Sequence, residues 1–172
     1  VRPLVGYGRS PYLNLWGRLG KADLAIVERV MAATHTDTLA DKRVDELSGG
    51  QQQRAFLAMP LAQETPYLLL DEPTTYLDLN HQIALMDMMR AEQQRGTTVI
   101  TVLHDLNQAA RYCDHLIVMK KGRLIAEGDP QDVLTPALLA DVFAVDAAPY
   151  TCPVSGKLMC IVKKSLAEEQ LA

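Results

Sequence analysis

Aromatic side chains are scarce in this chain: one Trp, two Phe and six Tyr make up 5% of its 172 residues. With 48% hydrophobic residues, any core must be built of Leu, Val, Ile, Ala and Met, and the length is enough for one domain with a core of its own. Only three cysteines occur, Cys113, Cys152 and Cys160. Their spacing fits neither a metal site nor a CxxC pair, and an odd, scattered set argues for a reducing compartment rather than a disulfide framework. No apolar run approaches the ~20 residues of a membrane span. There is no lysine- or arginine-rich block, and the formal net charge is −4 with a pI near 5.5, which argues against nucleic acid as the main partner. Val1-Arg2-Pro3-Leu4 has neither an initiator Met nor a signal-peptide pattern, so the chain is expected to begin inside a longer domain. GxSxG, HExxH and a GxGxxG after a strand are missing too, and the reaction classes they mark find no support.

What is present alternates helix-like and strand-like segments. Val1–Gly20, rich in Gly, Pro, Tyr and Arg, reads as loop or short helix. Asp23 is placed to cap a helix over Leu24–Thr34, with Leu24, Ile26, Val27, Val30 and Met31 as its apolar set. A second helix is expected from Ser48 towards Gln63. Tyr67–Leu70 is a continuous apolar run ending in Asp71-Glu72-Pro73, the pattern of a buried strand. A helix follows over about Asn80–Gln94, stopped by Gly96. Thr98–Leu103 is a β-branched strand ending at His104-Asp105, and Leu106–Tyr112 is a helix. Leu116–Met119 is a strand that turns through Lys121-Gly122 into Arg123–Glu127 as a hairpin. Asp129-Pro130 opens a short helix, Pro136 begins another through Phe143, and Val145–Ala172 is a tail with one strand, Met159–Val162. Strand–helix–strand order predicts an α/β fold with a parallel sheet flanked by helices.

Four features carry chemistry, in a fixed order. In Leu47-Ser48-Gly49-Gly50-Gln51 the glycines let a backbone approach a ligand, and Ser48 can cap the helix that follows. That helix N-terminus offers free N–H groups and about half a positive charge to an anion. The plainer reading is a Ser cap after a glycine turn. Asp71-Glu72 end a strand, where a carboxylate of an open parallel sheet points into the ligand crevice. Asp71 can hold Mg2+ through its water shell and Glu72 can orient an attacking water; the plainer reading is a strand that ends in polar residues. Asp78, in Tyr76-Leu77-Asp78, is by itself a helix cap. His104, at the end of the next apolar strand, is placed to contact a γ-phosphate, whereas a lone histidine ordinarily has no such role.

The order LSGGQ, LLLDEP, LD, LHD resembles the nucleotide-binding subunit of ABC transporters, and the likeness covers nearly the whole chain. The resemblance implies the P-loop NTPase, ABC-type ATPase fold: a helical, signature-bearing subdomain over residues 1–63, the C-terminal half of a RecA-like core over 64–143, and a C-terminal tail over 144–172. It implies ATP and Mg2+ as cofactors. By the same resemblance Ser48, Gly49, Gly50 and Gln51 are signature residues that face the ATP of a second ATPase subunit across a two-fold axis. Asp71 is the Mg2+ residue, acting through water; Glu72 and His104 are catalytic; Asp78 belongs to the D-loop beside the nucleotide. Two ATP molecules hold such a pair closed, hydrolysis loosens it, and the movement drives membrane-spanning permease subunits. These permeases are the implied partners, with an indirect link to a periplasmic binding protein and no nucleic acid. The implied location is peripheral, on the cytoplasmic face of the bacterial inner membrane. Tyr7–Trp16 is the expected docking surface, against the plainer reading of a solvent loop packed on its own helices. GYGRSPY (Gly6–Tyr12), DEPTTYLD (Asp71–Asp78) and HDLN (His104–Asn107) resemble the ATPases of bacterial iron–siderophore and cobalamin importers. Pro153–Lys157 with Met159-Cys160 resembles the subunit of the ferric citrate importer.

A phosphate loop GxxxxGK[ST] is absent from the sequence. Gly20-Lys21 is followed by Ala22, with its nearest upstream glycine at Gly17, and Gly156-Lys157 is followed by Leu158. In the family the P-loop, the adenine-stacking aromatic and the glutamine loop all precede the region that starts at Val1, so the sequence corresponds to the C-terminal two thirds of such a subunit. The strands that belong to the missing part would leave a sheet edge and apolar surface uncovered, and this polypeptide alone is expected to bind ATP–Mg very weakly and not to hydrolyse it. Pro60 departs from the family pattern, which has an aliphatic residue there. An interior proline costs about 3 kcal/mol, and a kink or break is expected near Phe56–Pro60. Two other readings stand beside the importer. One is a soluble ABC ATPase of DNA repair or translation, although Val1–Glu46 has no sustained heptad and the sequence holds no second cassette. The other is a truncated non-catalytic remnant or partner-binding module, favoured by the absent P-loop and Pro60 and opposed by the intact Glu72 and His104.

Overall fold

The computed structural model describes residues 1–75 and 77–166; Tyr76 of the third feature and residues 167–172 of the tail lie outside the described residues. The chain forms two compact units, Val1–Val102 and Leu103–Ala172.

The first unit runs through helix α1 (Arg2–Gly6), a 3-10 helix (Tyr7–Tyr12), α2 (Lys21–Ala33), α3 (Gly49–Ala62), strand β1 (Tyr67–Asp71), α4 (Leu79–Gln94) and β2 (Thr98–Val102). Its core gathers Val5, Val27, Val30 and Met31 against Ala55, Ala58 and Ala62. The three alanines, spaced i, i+3, i+7, line one face of α3, and their small side chains let α1 and α2 pack close. Helix α2 starts earlier than expected. Gly20 is its cap position and Asp23 lies inside the first turn, where its carboxylate accepts the Gly20 N–H at 3.1 Å. Asp23 therefore closes the helix start from within.

The break expected at Pro60 does not occur: α3 is continuous from Gly49 to Ala62. Pro60 stands two residues from the helix end, so its ring forfeits a single bond just before the helix stops anyway. The chain leaves through Glu64 in the left-handed region, φ 53°.

Strands β1 and β2 pair in parallel, from Tyr67 opposite Thr98 to Asp71 opposite Val102. The expectation of a buried strand is corrected: of β1 only Leu68 is buried, while Tyr67 and Leu69 are 61% and 69% exposed and Ile100 and Val102 are 51% exposed. One face of the pair packs and the other presents apolar surface. Helix α4 packs against β2 and buries Leu85, Met86 and Met89.

The second unit holds α5 (Leu106–Tyr112), the antiparallel pair β3 (Leu116–Lys120) and β4 (Arg123–Gly128), α6 (Pro130–Val133), α7 (Pro136–Phe143) and a second antiparallel pair, β5 (Val145–Thr151) and β6 (Leu158–Ser165). Ala110, Leu134, Leu139, Ala147 and Cys160 form its core. The tail is thus a hairpin with two strands where the sequence predicted one. Ala144 takes a left-handed conformation, φ 54°, which ends α7 and launches β5. Among the described residues no helix is long and apolar enough to cross a membrane.

Candidate active site

Each of the three glutamines after the glycine pair has its own task. Ser48 caps α3 by accepting the Gln51 N–H on Oγ at 3.4 Å, and Gln51 Oε1 accepts the Ser48 N–H at 3.1 Å, a reciprocal capping box. Gln52 donates to the carbonyls of Val44 (3.0 Å) and Leu47 (3.3 Å), fixing the turn that leads into the helix. Gln53 donates to the carbonyl of Pro73 at 2.5 Å and so reaches the turn beyond β1. The glycines themselves stay clear. Nothing stands within 4 Å of where a Cβ on Gly49 would be, and on Gly50 the nearest atom is Leu77 Cδ2 at 3.9 Å. The free N–H groups of a 14-residue helix are therefore open to an incoming anion.

The carboxylates follow directly on β1. Asp71 is its last residue and is exposed; Glu72 comes next in a left-handed conformation, φ 46°. A non-glycine residue in that region costs about 1–3 kcal/mol and persists only where its surroundings impose it. Here the Thr75 N–H donates to the Glu72 carbonyl at 3.2 Å and the Thr75 hydroxyl to Glu72 Oε2 at 3.3 Å. The turn is gripped from both flanking helices: Gln53 of α3 holds Pro73, and Gln82 of α4 donates to the carbonyls of Thr74 (3.3 Å) and Leu77 (3.0 Å). Asp78 caps α4, accepting the His81 N–H at 2.9 Å and facing His81 Nδ1 at 2.7 Å. The His81 N–H first, and then its ring, hold the Asp78 carboxyl below the usual carboxylate range.

The first unit therefore brings Ser48, Gly49, Gly50, Gln51, Asp71, Glu72 and Asp78 onto one framework of α3, β1 and α4. His104 is exposed and opens the second unit, two residues after the partner of Asp71 in β2. Asp105 beside it caps α5 through the N–H groups of Asn107 (2.7 Å) and Gln108 (3.0 Å). Mg2+ keeps several waters and takes one or two carboxylates with phosphate oxygens; a single exposed Asp71 at a strand end suits that chemistry. Among the described residues no group of three His, Cys, Asp or Glu side chains converges to hold a metal unaided. A cleft of about 220 Å³ lies between the end of α2, α3 and α4, lined by Arg54, Leu57, Leu77 and His81. It includes none of Ser48, Gly49, Asp71 or Glu72, but it borders the site through Gln53, Leu77 and His81. Sequence reasoning missed Gln53, Gln82 and Thr75. For Gln53 and Gln82 the one signal was a polar run on a helix with a buried face; Thr75 lies in the turn after β1.

Residues 13–75 match the family model described as ABC transporter. The chain is 46% identical over 162 residues to the probable siderophore transport system ATP-binding protein YusV of Bacillus subtilis, a match that takes in 94% of this chain and 59% of the relative. It is 42% identical over 171 residues to the iron(3+)-hydroxamate import ATP-binding protein FhuC of the same organism, across 99% of this chain and 64% of the relative. The chain thus spans about three fifths of the length of these relatives. A solved structure described as an ABC transporter of metal-chelate type, in an inward-facing conformation, aligns with a TM-score of 0.83 over 95% of this chain and 66% of its own; at 24% identity this is a likeness of fold. Over nearly all its length the chain is thus similar in sequence to ATP-binding proteins of iron importers, residues 13–75 carry the ABC transporter match, and the fold is of the ABC ATPase kind.

Proposed function

We propose that the protein to which this chain belongs is the ATP-binding, ATP-hydrolysing subunit of an importer of ferric siderophore-type complexes, with ferric citrate as the cargo. The observation that carries the reading is the clamped turn after β1. Gln53 ties the signature helix to the residue following Glu72, and Gln82 ties α4 to the same turn. A change at the nucleotide is in this way shared between the signature and the carboxylates.

In this reading Ser48, Gly49, Gly50 and Gln51 present N–H and side-chain donors to the ATP of a second, identical subunit. Asp71 holds Mg2+ through water, Glu72 orients the attacking water, His104 contacts the γ-phosphate, and Asp78 sets the α4 end of the site. Mg2+ supplies charge neutralisation on the phosphates when bound. The helical part is residues 1–63, the core half 64–143 and the tail 144–172. Membrane-spanning permeases are the partners, a periplasmic binding protein delivers cargo to them, and the subunit sits on the cytoplasmic face of the inner membrane. Tyr7–Trp16 is the docking face, with Leu15 and Trp16 fully or nearly fully open to solvent.

Glu72→Gln in the full-length protein tests the reading. Removal of a general base costs roughly 10²–10⁴-fold. Phosphate release at saturating MgATP is expected to fall by at least about 10²-fold while MgATP binding is retained. Hydrolysis at the wild-type rate overturns the assignment of Glu72. Uptake of radioactive iron supplied as citrate, hydroxamate or catecholate complexes, in cells with and without the protein, decides the cargo.

A further inference from the structure

The 3-10 helix and the loop after it have little apolar purchase on the first unit. Tyr7, Tyr12, Leu13, Leu15 and Trp16 are all exposed. Gly8 and Arg9 hold the segment instead, with the Tyr12 hydroxyl donating to the Gln63 carbonyl at 3.1 Å. Gly8 lies so close to α3 that a Cβ on it would stand 2.0 Å from the Met59 carbonyl oxygen; only a glycine permits that approach. Arg9 is 6% exposed and, with Thr34 and Thr36, makes up the buried polar or charged side chains among the described residues.

A buried guanidinium is tolerated only when its donors are taken up. Arg9 Nε donates to Asp23 Oδ1 at 2.9 Å, with Nη2 2.8 Å from the same oxygen. Nη1 donates to the carbonyls of Ala62 (3.1 Å) and Gln63 (3.3 Å) and to Glu64 Oε2 at 3.4 Å. The Tyr12 ring lies 3.8 Å from the guanidinium carbon. One side chain therefore fastens the segment both to the first turn of α2 and to the last carbonyls of α3, where a cation also meets the negative end of the helix dipole.

Helix α3 begins at the signature. Its 14 residues form a rod of about 21 Å. Ala55, Ala58 and Ala62, each 0% exposed, seat the rod in the core. The helix thus joins the Arg9 end to Ser48, Gly49 and Gly50 by one continuous run of backbone.

We propose that Arg9 is a positioning residue that couples the exposed Tyr7–Trp16 segment to the signature helix, so that a membrane subunit pressing on the segment moves Ser48–Gly50. The inference rests on the reading of that segment as the docking face. Its test uses the full-length protein reconstituted with its membrane subunits in proteoliposomes. The readout is the ratio of hydrolysis with the membrane subunits to hydrolysis without them. Arg9→Met is expected to lower this ratio by roughly tenfold, with the KM for MgATP within about twofold of wild type. Arg9→Lys keeps a charge opposite Asp23 but cannot reach all the acceptors at the end of α3, and is expected to restore part of the ratio. Should Arg9→Met fail to accumulate, Asp23→Asn cuts the α2 arm alone and is expected to lower the ratio in the same direction. A purely structural role would depress both rates together and leave the ratio at its wild-type value. That outcome in Arg9→Met and Asp23→Asn overturns the inference alone. A wild-type protein that its membrane subunits do not stimulate overturns the docking reading and the inference with it.

Discussion

Asp23 answers to two partners at once. Its carboxylate takes the Arg9 guanidinium on one oxygen and the Gly20 N–H on the other. The Arg9 hydrogen bond chiefly, with the Gly20 N–H assisting and burial opposing, holds this carboxyl below the usual carboxylate range. The sign of the pH dependence follows. A carboxyl whose folded pKa lies below its unfolded value of about 3.9 stabilises the fold fully above that value and loses the contribution as pH falls through the lowered one. Thermal unfolding of wild type and Asp23→Asn should therefore differ by a constant amount between about pH 7 and 5. Below about pH 4 the wild type should lose stability faster and the two curves converge. A difference that stays constant down to about pH 2 would sink the assignment. The helix-starting role of Asp23 was legible in the sequence, though one turn out of place. The burial of Arg9 was not, because a Gly-Arg pair in a loop-like stretch carries no periodicity that marks it as internal.

At the scale of the element, the start of α3 separates a plain helix cap from a phosphate site. Two glycines in a first turn are a poor choice for a helix, each costing about 0.5–1 kcal/mol relative to alanine. Gly49 has open space where a Cβ would stand and a φ that alanine can adopt. Gly49→Ala should thus stabilise the fold by up to about 1 kcal/mol. If the glycine pair merely turns the chain, that is the whole effect. If the N–H groups receive phosphate oxygens, hydrolysis by the full-length protein falls sharply in the more stable variant. Loss of activity with a raised Tm supports the signature role; a raised Tm with unchanged activity refutes it. Element limits were readable where a capping side chain announced them, as at Ser48 and Asp78, whose oxygens accept the N–H groups of Gln51 and His81; Asp105, Asp129 and Thr135 cap helices in the same way. They were unreadable at β5, where Asp146, Ala147, Ala148 and Pro149 are weak strand formers held by pairing with β6. The helix end was read to within one residue, and the break expected at Pro60 failed because a proline two residues before that end forfeits a single bond. The clamp by Gln53 and Gln82 depends on which helix faces which turn, and no spacing encodes that.

In the proposed reading the polypeptide Val1–Ala172 supplies the signature side of a nucleotide site, and its β1–β2 pair has an open apolar face. Leu69, Ile100 and Val102 are each more than half exposed on the β1–β2 pair, so the isolated chain should bind a hydrophobic dye and self-associate. Magnitudes decide what it does with ATP. Micromolar binding needs about −8 kcal/mol, whereas a helix N-terminus contributes about 0.3–2 kcal/mol towards an anion. The sequence has no GxxxxGK[ST] loop whose amides and lysine could make up the difference. Calorimetry on this polypeptide alone should give a Kd for MgATP weaker than about 1 mM, and low-micromolar binding would overturn the argument. The signature end is untouched by that lack, since Ser48, Gly49 and Gly50 are already set at the start of a capped, packed helix. Mixed with a full-length subunit carrying its own phosphate loop and Glu72→Gln, the polypeptide should associate only when MgATP is present, with a single nucleotide per pair. Association without nucleotide, or two nucleotides per pair, would mean that the signature of this chain does not act across the dimer.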